Sequence, residues 1–216
     1  MELIAHRGCG AVNPENTVRA VRDAAERLPA VEVDVRRCAS GELVCVHDAT
    51  VDRVTDGSGR VADHTLAELR ALDVQGSGER IPTLEEIVSA VPNALGLQVE
   101  LKERGLGVDV LARLGTVPNA RLSSFETASL REVQDGDVPT GYLFEGNPGE
   151  NVGLARALGC SNVHPHWRTC AETNVVERAR AAGLDVYAWG AETNPAAVEA
   201  ARKAGADGIT VDRPRP

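Results

Sequence analysis

Nine short apolar runs recur along the chain, and all but one of the intervals between them are long enough to hold a helix. The runs are Leu3–His6, Val31–Arg36, Leu43–His47, Leu97–Lys102, Arg121–Ser124, Gly141–Phe144, Asn162–His164, Asp185–Trp189 and Gly208–Val211. Helical patterning fills most of the gaps, at Thr17–Leu28, Thr83–Val91, Ala128–Val133, Val152–Leu158, Asn174–Ala182 and Pro195–Ala204. This is the alternation of βα units around a parallel sheet. Between Val31–Arg36 and Leu43–His47 only six residues intervene, Ser40-Gly41 among them, too few for a parallel crossover. That pair is therefore a hairpin. Setting its return arm aside leaves eight βα strands, the number that closes a (β/α)8 TIM-type barrel, an α/β fold; a doubly wound sheet is the competing arrangement. A turn centred on Ser40-Gly41 makes paired positions sum to about 81, which sets Asp34 opposite His47.

Residues Asp48 to Pro82 carry the turn signals Asp56-Gly57-Ser58-Gly59 and Gly76-Ser77-Gly78 around one helix pattern, Thr65–Leu72, and supply no barrel strand. They are expected as a small insertion, about 48–82, after the second strand's hairpin. A chain of 216 residues suits one barrel domain over 1–216. No full helix follows the last strand, so an apolar face is expected there, and a second copy forming a homodimer would cover it. The net charge of −9 opposes nucleic-acid binding, and 3% aromatic residues offer no extended stacking surface. Five cysteines without CxxC spacing indicate reduced thiols, hence a cytoplasmic location. No leader pattern and no run of about 18 apolar residues is present, so no stable membrane insertion is expected.

Residues two apart in a strand share a face. Glu32 thus joins Asp34, and Glu100 joins Lys102, with apolar neighbours on the opposite face. In a barrel the apolar set faces the helices, which places three carboxylates and a lysine inside, where each charge is costly unless compensated. A divalent cation compensates them, and an oxygen-only ligand set selects Mg2+ or Ca2+ ahead of Mn2+ and disfavours zinc. A structural ion-pair network is the competing reading. The first strand ends in His6-Arg7-Gly8, at the end of a barrel where active sites sit, and Gly8 permits a sharp turn. His6 and His47 both close strands beside the carboxylates, and an unperturbed pKa near ~6.5 suits them to proton transfer; satisfied core histidines are the alternative. Three carboxylates set against a divalent ion, Arg7 and Lys102 leave one positive charge, which a phosphodiester anion matches.

With these residues in order, the chain resembles the glycerophosphodiester phosphodiesterase family. The resemblance rests on His6-Arg7-Gly8 followed by Pro14-Glu15-Asn16-Thr17, Glu32-Val33-Asp34-Val35, Val46-His47-Asp48, Pro82-Thr83-Leu84-Glu85-Glu86, Val99-Glu100-Leu101-Lys102, Ser123-Ser124-Phe125 and Asp207-Gly208-Ile209-Thr210-Val211-Asp212. It implies a barrel with an insertion after the His-Asp pair. Glu32, Asp34 and Glu100 are then the metal ligands, His6 and His47 the acid–base pair, and Arg7 and Lys102 the cations that hold phosphate. The implied reaction turns a small-molecule glycerophosphodiester into sn-glycerol 3-phosphate and an alcohol. In the mechanism the resemblance implies, the substrate's glycerol hydroxyl attacks phosphorus and water opens the cyclic phosphate. Two other readings stay open: a lysophospholipase D-type phosphodiesterase on acylated substrates, and a non-catalytic barrel that binds a phosphate ligand.

Among flanking residues, Asn16 is expected to cap the helix beginning near Thr17, and Glu15 is a secondary candidate for the metal's water shell. Phe125 and Trp189 end strands and read either as an apolar wall beside the substrate or as ordinary packing. His164-Pro165-His166 sits at a strand end, where solvent exposure is expected and substrate contact is the alternative. Where the family usually continues Trp-Thr-Val-Asn, this chain has Trp189-Gly190-Ala191-Glu192, a departure expected to bear on substrate choice.

Overall fold

The computed structural model describes residues 1–115 and 117–215. Its strands are β1 (Glu2–Ala5), β2 (Ala30–Arg37), β3 (Leu43–Cys45), β4 (Gly96–Leu101), β5 (Ala120–Ser124), β6 (Thr140–Phe144), β7 (Asn162–Pro165), β8 (Asp185–Ala188) and β9 (Gly208–Val211). They bond in the order β1-β9-β8-β7-β6-β5-β4-β2, and a parallel β1–β2 pairing closes the ring. The result is an eight-stranded parallel (β/α)8 barrel. β3 stands outside that ring and runs antiparallel to β2.

The hairpin forms one residue out of the expected register. Val35 pairs with Cys45, the Val46 amide donates to the Asp34 carbonyl at 3.1 Å, and His47 lies past the strand's end. The cause is a three-residue loop: the Cys38 amide bonds the Glu42 carbonyl, and Gly41 takes the left-handed conformation (φ 101°) that such loops use.

Helices α1 (Val18–Ala25), α3 (Leu84–Ala90), α4 (Gly107–Leu114), α5 (Thr127–Val133), α6 (Pro148–Ala157), α7 (Trp167–Glu172), α8 (Val175–Ala181) and α9 (Pro195–Ala204) follow the barrel strands, while α2 (Leu66–Arg70) belongs to the insertion. Two helices escape the sequence pattern. Gly105 and Gly107 interrupt the period at the start of α4, and α7 is only 6 residues long. Strand alternation divides the barrel as the sequence requires. Val31, Val33, Val35, Leu97, Val99 and Leu101 are buried in the layer shared with the helices, each contributing about 1.5–3 kcal/mol of burial. Their neighbours Glu32, Asp34, Gln98 and Glu100 therefore face the barrel axis.

Residues after β3 build a smaller cluster over the hairpin, in which Val51, Val54, Val61, Leu69, Val74 and Ile81 pack against Val44 and Val46. The apolar face expected at the last strand is covered from within the chain. Ile209 and Val211 are fully buried, and the segment after β1 is tied to this strand's end, the Cys9 thiol bonding the Val211 carbonyl and the Ala11 amide the Asp212 carbonyl. All five cysteines are buried free thiols. Among the described residues no helix is long and apolar enough to cross a membrane.

Candidate active site

The C-terminal ends of the strands open into a cavity of about 190 Å3 that His6, Arg7, Glu32, His47, Glu100 and Lys102 share. At the end of β1 the chain turns through three left-handed residues, Arg7 (φ 51°), Gly8 (φ 75°) and Cys9 (φ 67°). Only glycine fits the middle position, because a Cβ on Gly8 would lie 2.5 Å from Ala20 Cβ. This turn presents His6 and Arg7 to the cavity, and the Arg7 amide donates to Glu32 Oε2 at 3.0 Å.

Glu32 and Asp34 on β2 and Glu100 on β4 bring carboxylate oxygens within 4.8 Å of one another. Glu32 Oε1 is buried without a hydrogen-bond partner. Asp34 Oδ1 likewise accepts no hydrogen bond, its cation Lys102 Nζ standing 3.6 Å away. Burial and the neighbouring Asp34 charge push the Glu32 carboxyl up to about 8. Burial and Asp34 also raise Glu100, although Lys102 Nζ donates to its Oε1 at 2.6 Å. Burial would raise Asp34 too, but Arg7, with Nε 3.2 Å from Oδ2, and Lys102 hold it below the ordinary carboxylate range. Three carboxylates thus face two cations, and two of the three keep an orphaned oxygen. A hard, oxygen-seeking divalent cation fits this donor set.

Each histidine is oriented by its own carboxylate. His6 Nδ1 donates to Asp212 Oδ1, and His47 Nδ1 to Asp48 Oδ1, both at 2.6 Å. The bonds commit Nδ1 to the carboxylate and leave Nε2 for proton transfer. Burial alone would lower His6, but the Asp212 hydrogen bond and the Glu32 charge outweigh it and raise the imidazole above 6.5. His47 goes the other way: burial lowers it, and Asp34 does not fully offset burial together with Lys102 and Arg7.

Behind His47 runs a chain of ion pairs that the sequence did not disclose. Arg53, from the insertion, donates to Asp48 Oδ2 at 2.6 Å and to both oxygens of Glu15 at 2.8 Å. Glu15 in turn accepts from Arg7 Nη1 at 3.2 Å. Glu15 therefore holds Arg7 and Arg53. Asn16 does not cap a helix: Thr17 caps α1. Asn16 sits at φ 58°, donates from Nδ2 to Asp34 Oδ2 at 2.9 Å and accepts the Asp34 amide at 3.1 Å. An asparagine tolerates that left-handed backbone, and both ends of its amide are used to fix Asp34.

Phe125 and Trp189 line one wall of the cavity in an edge-to-face pair, ring centroids 5.3 Å apart. Phe125 is 44% exposed, so the pair meets solvent at the mouth. His166 packs edge-on against Trp189 at 4.8 Å, an approach that a Cβ on Gly190 would block at 2.6 Å from the imidazole. His164 departs from its expected exposure. It is 1% exposed inside the barrel, bonds Asn162 Oδ1 at 2.7 Å, and burial pushes it down to about 3.

Comparison with known proteins agrees with this geometry over nearly the whole chain. The profile of the Glycerophosphoryl diester phosphodiesterase family matches residues 6–105 and 107–215. A glycerophosphodiester phosphodiesterase of Caldanaerobacter subterraneus is 32% identical over 98% of this chain and 94% of its own. The structure of an Oleispira antarctica phosphodiesterase in complex with the product sn-glycerol-3-phosphate superposes with TM-score 0.87 at 28% identity, covering 99% of this chain and 94% of that one. A glycerophosphodiester phosphodiesterase from Thermotoga maritima gives TM-score 0.86 at 26% identity, covering 99% and 95%. A barrel, a carboxylate cluster and two carboxylate-braced histidines in one cavity accompany these matches, and the chain belongs to the glycerophosphoryl diester phosphodiesterase family, a family of phosphoric diester hydrolases.

Proposed function

We propose that this protein hydrolyses glycerophosphodiesters to sn-glycerol 3-phosphate and an alcohol, with Glu32, Asp34 and Glu100 holding one Mg2+ or Ca2+ ion and His6 and His47 moving the protons. The observation that carries the reading is the pairing, in one cavity, of orphaned carboxylate oxygens with two histidines that each have a dedicated carboxylate. A bound divalent cation supplies Lewis acidity toward a phosphoryl oxygen and offsets the carboxylate charge.

The side chains divide the remaining work. Arg7 and Lys102, here engaged with the carboxylates, are the cations that would hold an anionic diester with a divalent ion compensating Asp34 and Glu100. His47, lowered and so neutral near pH 7, takes the proton of the attacking hydroxyl as the new O–P bond forms. His6, raised and so more readily charged, gives a proton to the departing alcohol oxygen as the P–O bond breaks. Asp212 and Asp48 stabilise the imidazolium forms and fix the tautomers.

The test separates binding from proton transfer. His6→Ala and His47→Ala should retain divalent-ion binding by calorimetry while losing glycerophosphocholine turnover, whereas Glu100→Ala should lose ion affinity. Full turnover in either histidine variant would sink the acid–base assignment.

A further inference from the structure

Glu192 stands where the backbone argues against a glutamate. Its φ of 50° lies in the left-handed region, where residues other than Gly, Asn and Asp cost about 1–2 kcal/mol. Two backbone bonds hold it there: the Asp212 amide donates to the Glu192 carbonyl at 2.9 Å, and the Asn194 amide to Ala191 at 2.8 Å. The residue nevertheless borders the cavity at an exposed position and, among the described residues, forms no ion pair. Strain kept at a cavity wall points to a use for the carboxylate.

The surroundings say what it faces. Phe125 and Trp189 line the same cavity, and the charges of Glu145 and Glu192 both act on the His166 ring that packs on Trp189. Arg7 and Lys102 supply the cations beside the carboxylate cluster. The cavity therefore offers cations to a phosphate and, along the Phe125–Trp189 wall, aromatic rings with a carboxylate, the combination that attracts a quaternary or primary ammonium group. His6, through Asp212, is bonded to the same segment as Glu192, so the proposed acid and Glu192 are tied to one stretch of chain.

We propose that Glu192, with Phe125 and Trp189, selects substrates whose leaving alcohol carries a positive charge. The inference rests on the phosphodiesterase reading above and deepens it by naming the head group. Glycerophosphocholine is cleaved in preference to glycerophosphoglycerol, whose alcohol is uncharged.

The experiment compares kcat/KM for these two substrates in the wild type, Glu192→Gln and Glu192→Asn with the divalent ion present. The wild type should prefer the choline substrate, and both variants should narrow the ratio about three- to tenfold, as expected for loss of one partly exposed charge contact. Glu192→Asn should also raise Tm, since asparagine tolerates the left-handed backbone, which shows that the lost selectivity is not a folding defect. A wild type without preference, or a ratio unmoved in both variants, overturns the inference and leaves the phosphodiesterase reading standing. Turnover of neither substrate overturns both.

Discussion

Two histidines with the same Nδ1–carboxylate geometry are shifted in opposite directions, the asymmetry on which the proposed roles rest. In that proposal the competent state has His47 neutral and His6 charged. It is depleted below the lowered pKa of His47 and above the raised pKa of His6, so kcat/KM should follow a bell that brackets 6.5. His6→Ala and His47→Ala should each cost about 10²–10⁴-fold in kcat, measured on glycerophosphocholine. Asp212→Asn gives a signed check: the Asp212 hydrogen bond raises His6, so its loss should move the alkaline limb of the bell to lower pH and leave the acid limb in place. An unmoved alkaline limb would contradict the role of Asp212. At this scale the sequence was informative about the carboxylates and histidines, because strand alternation alone places Glu32 with Asp34 and His6 at a strand end. It was silent on Arg53 and misassigned Asn16 as a helix cap. Arg53 joins Glu15 across 38 positions of chain, and Asn16 looks like a helix cap until the left-handed backbone turns its amide onto Asp34.

The element that sets the site is the turn after β1, in which three left-handed residues lead from the strand toward α1. Gly8→Ala should destabilise the fold by about 2–4 kcal/mol, from backbone strain plus the clash with Ala20, read as a lowered urea midpoint. A midpoint within error of the wild type would remove the steric account of Gly8. Legibility at this level follows local chemistry. The hairpin was readable because six residues cannot make a crossover, yet its register slipped by one because loop closure around Gly41 depends on geometry that composition does not encode. Helix α9 was read at its full extent since Asn194 and Pro195 start it and Gly205 ends it, whereas α4 was obscured by its own glycines.

For the molecule as a whole, the barrel concentrates carboxylate charge at its centre, where the proposed divalent ion would offset it. Glu32 is raised to about 8 from 4.5, so the metal-free protein keeps the benefit of a neutral Glu32 below 4.5 and loses it as pH climbs through about 8. Mg2+ or Ca2+ at a hundred times its Kd should stabilise the fold by about 2.7 kcal/mol, seen as a rise in Tm at pH 8 that Glu32→Gln abolishes. An equal rise in the variant would place the ion elsewhere. The number of strands and the sign of the site's charge were both present in the sequence, since each follows from short-range periodicity. The pairing of His6 with Asp212 was not, because it joins residues 206 apart and exists only once the ring has closed. The most direct test is a 31P NMR time course of glycerophosphocholine with the purified protein and Mg2+ or Ca2+. The account predicts that the diester signal gives way to sn-glycerol 3-phosphate and that a chelator stops it. Formation of phosphocholine, or turnover indifferent to the chelator, would contradict it.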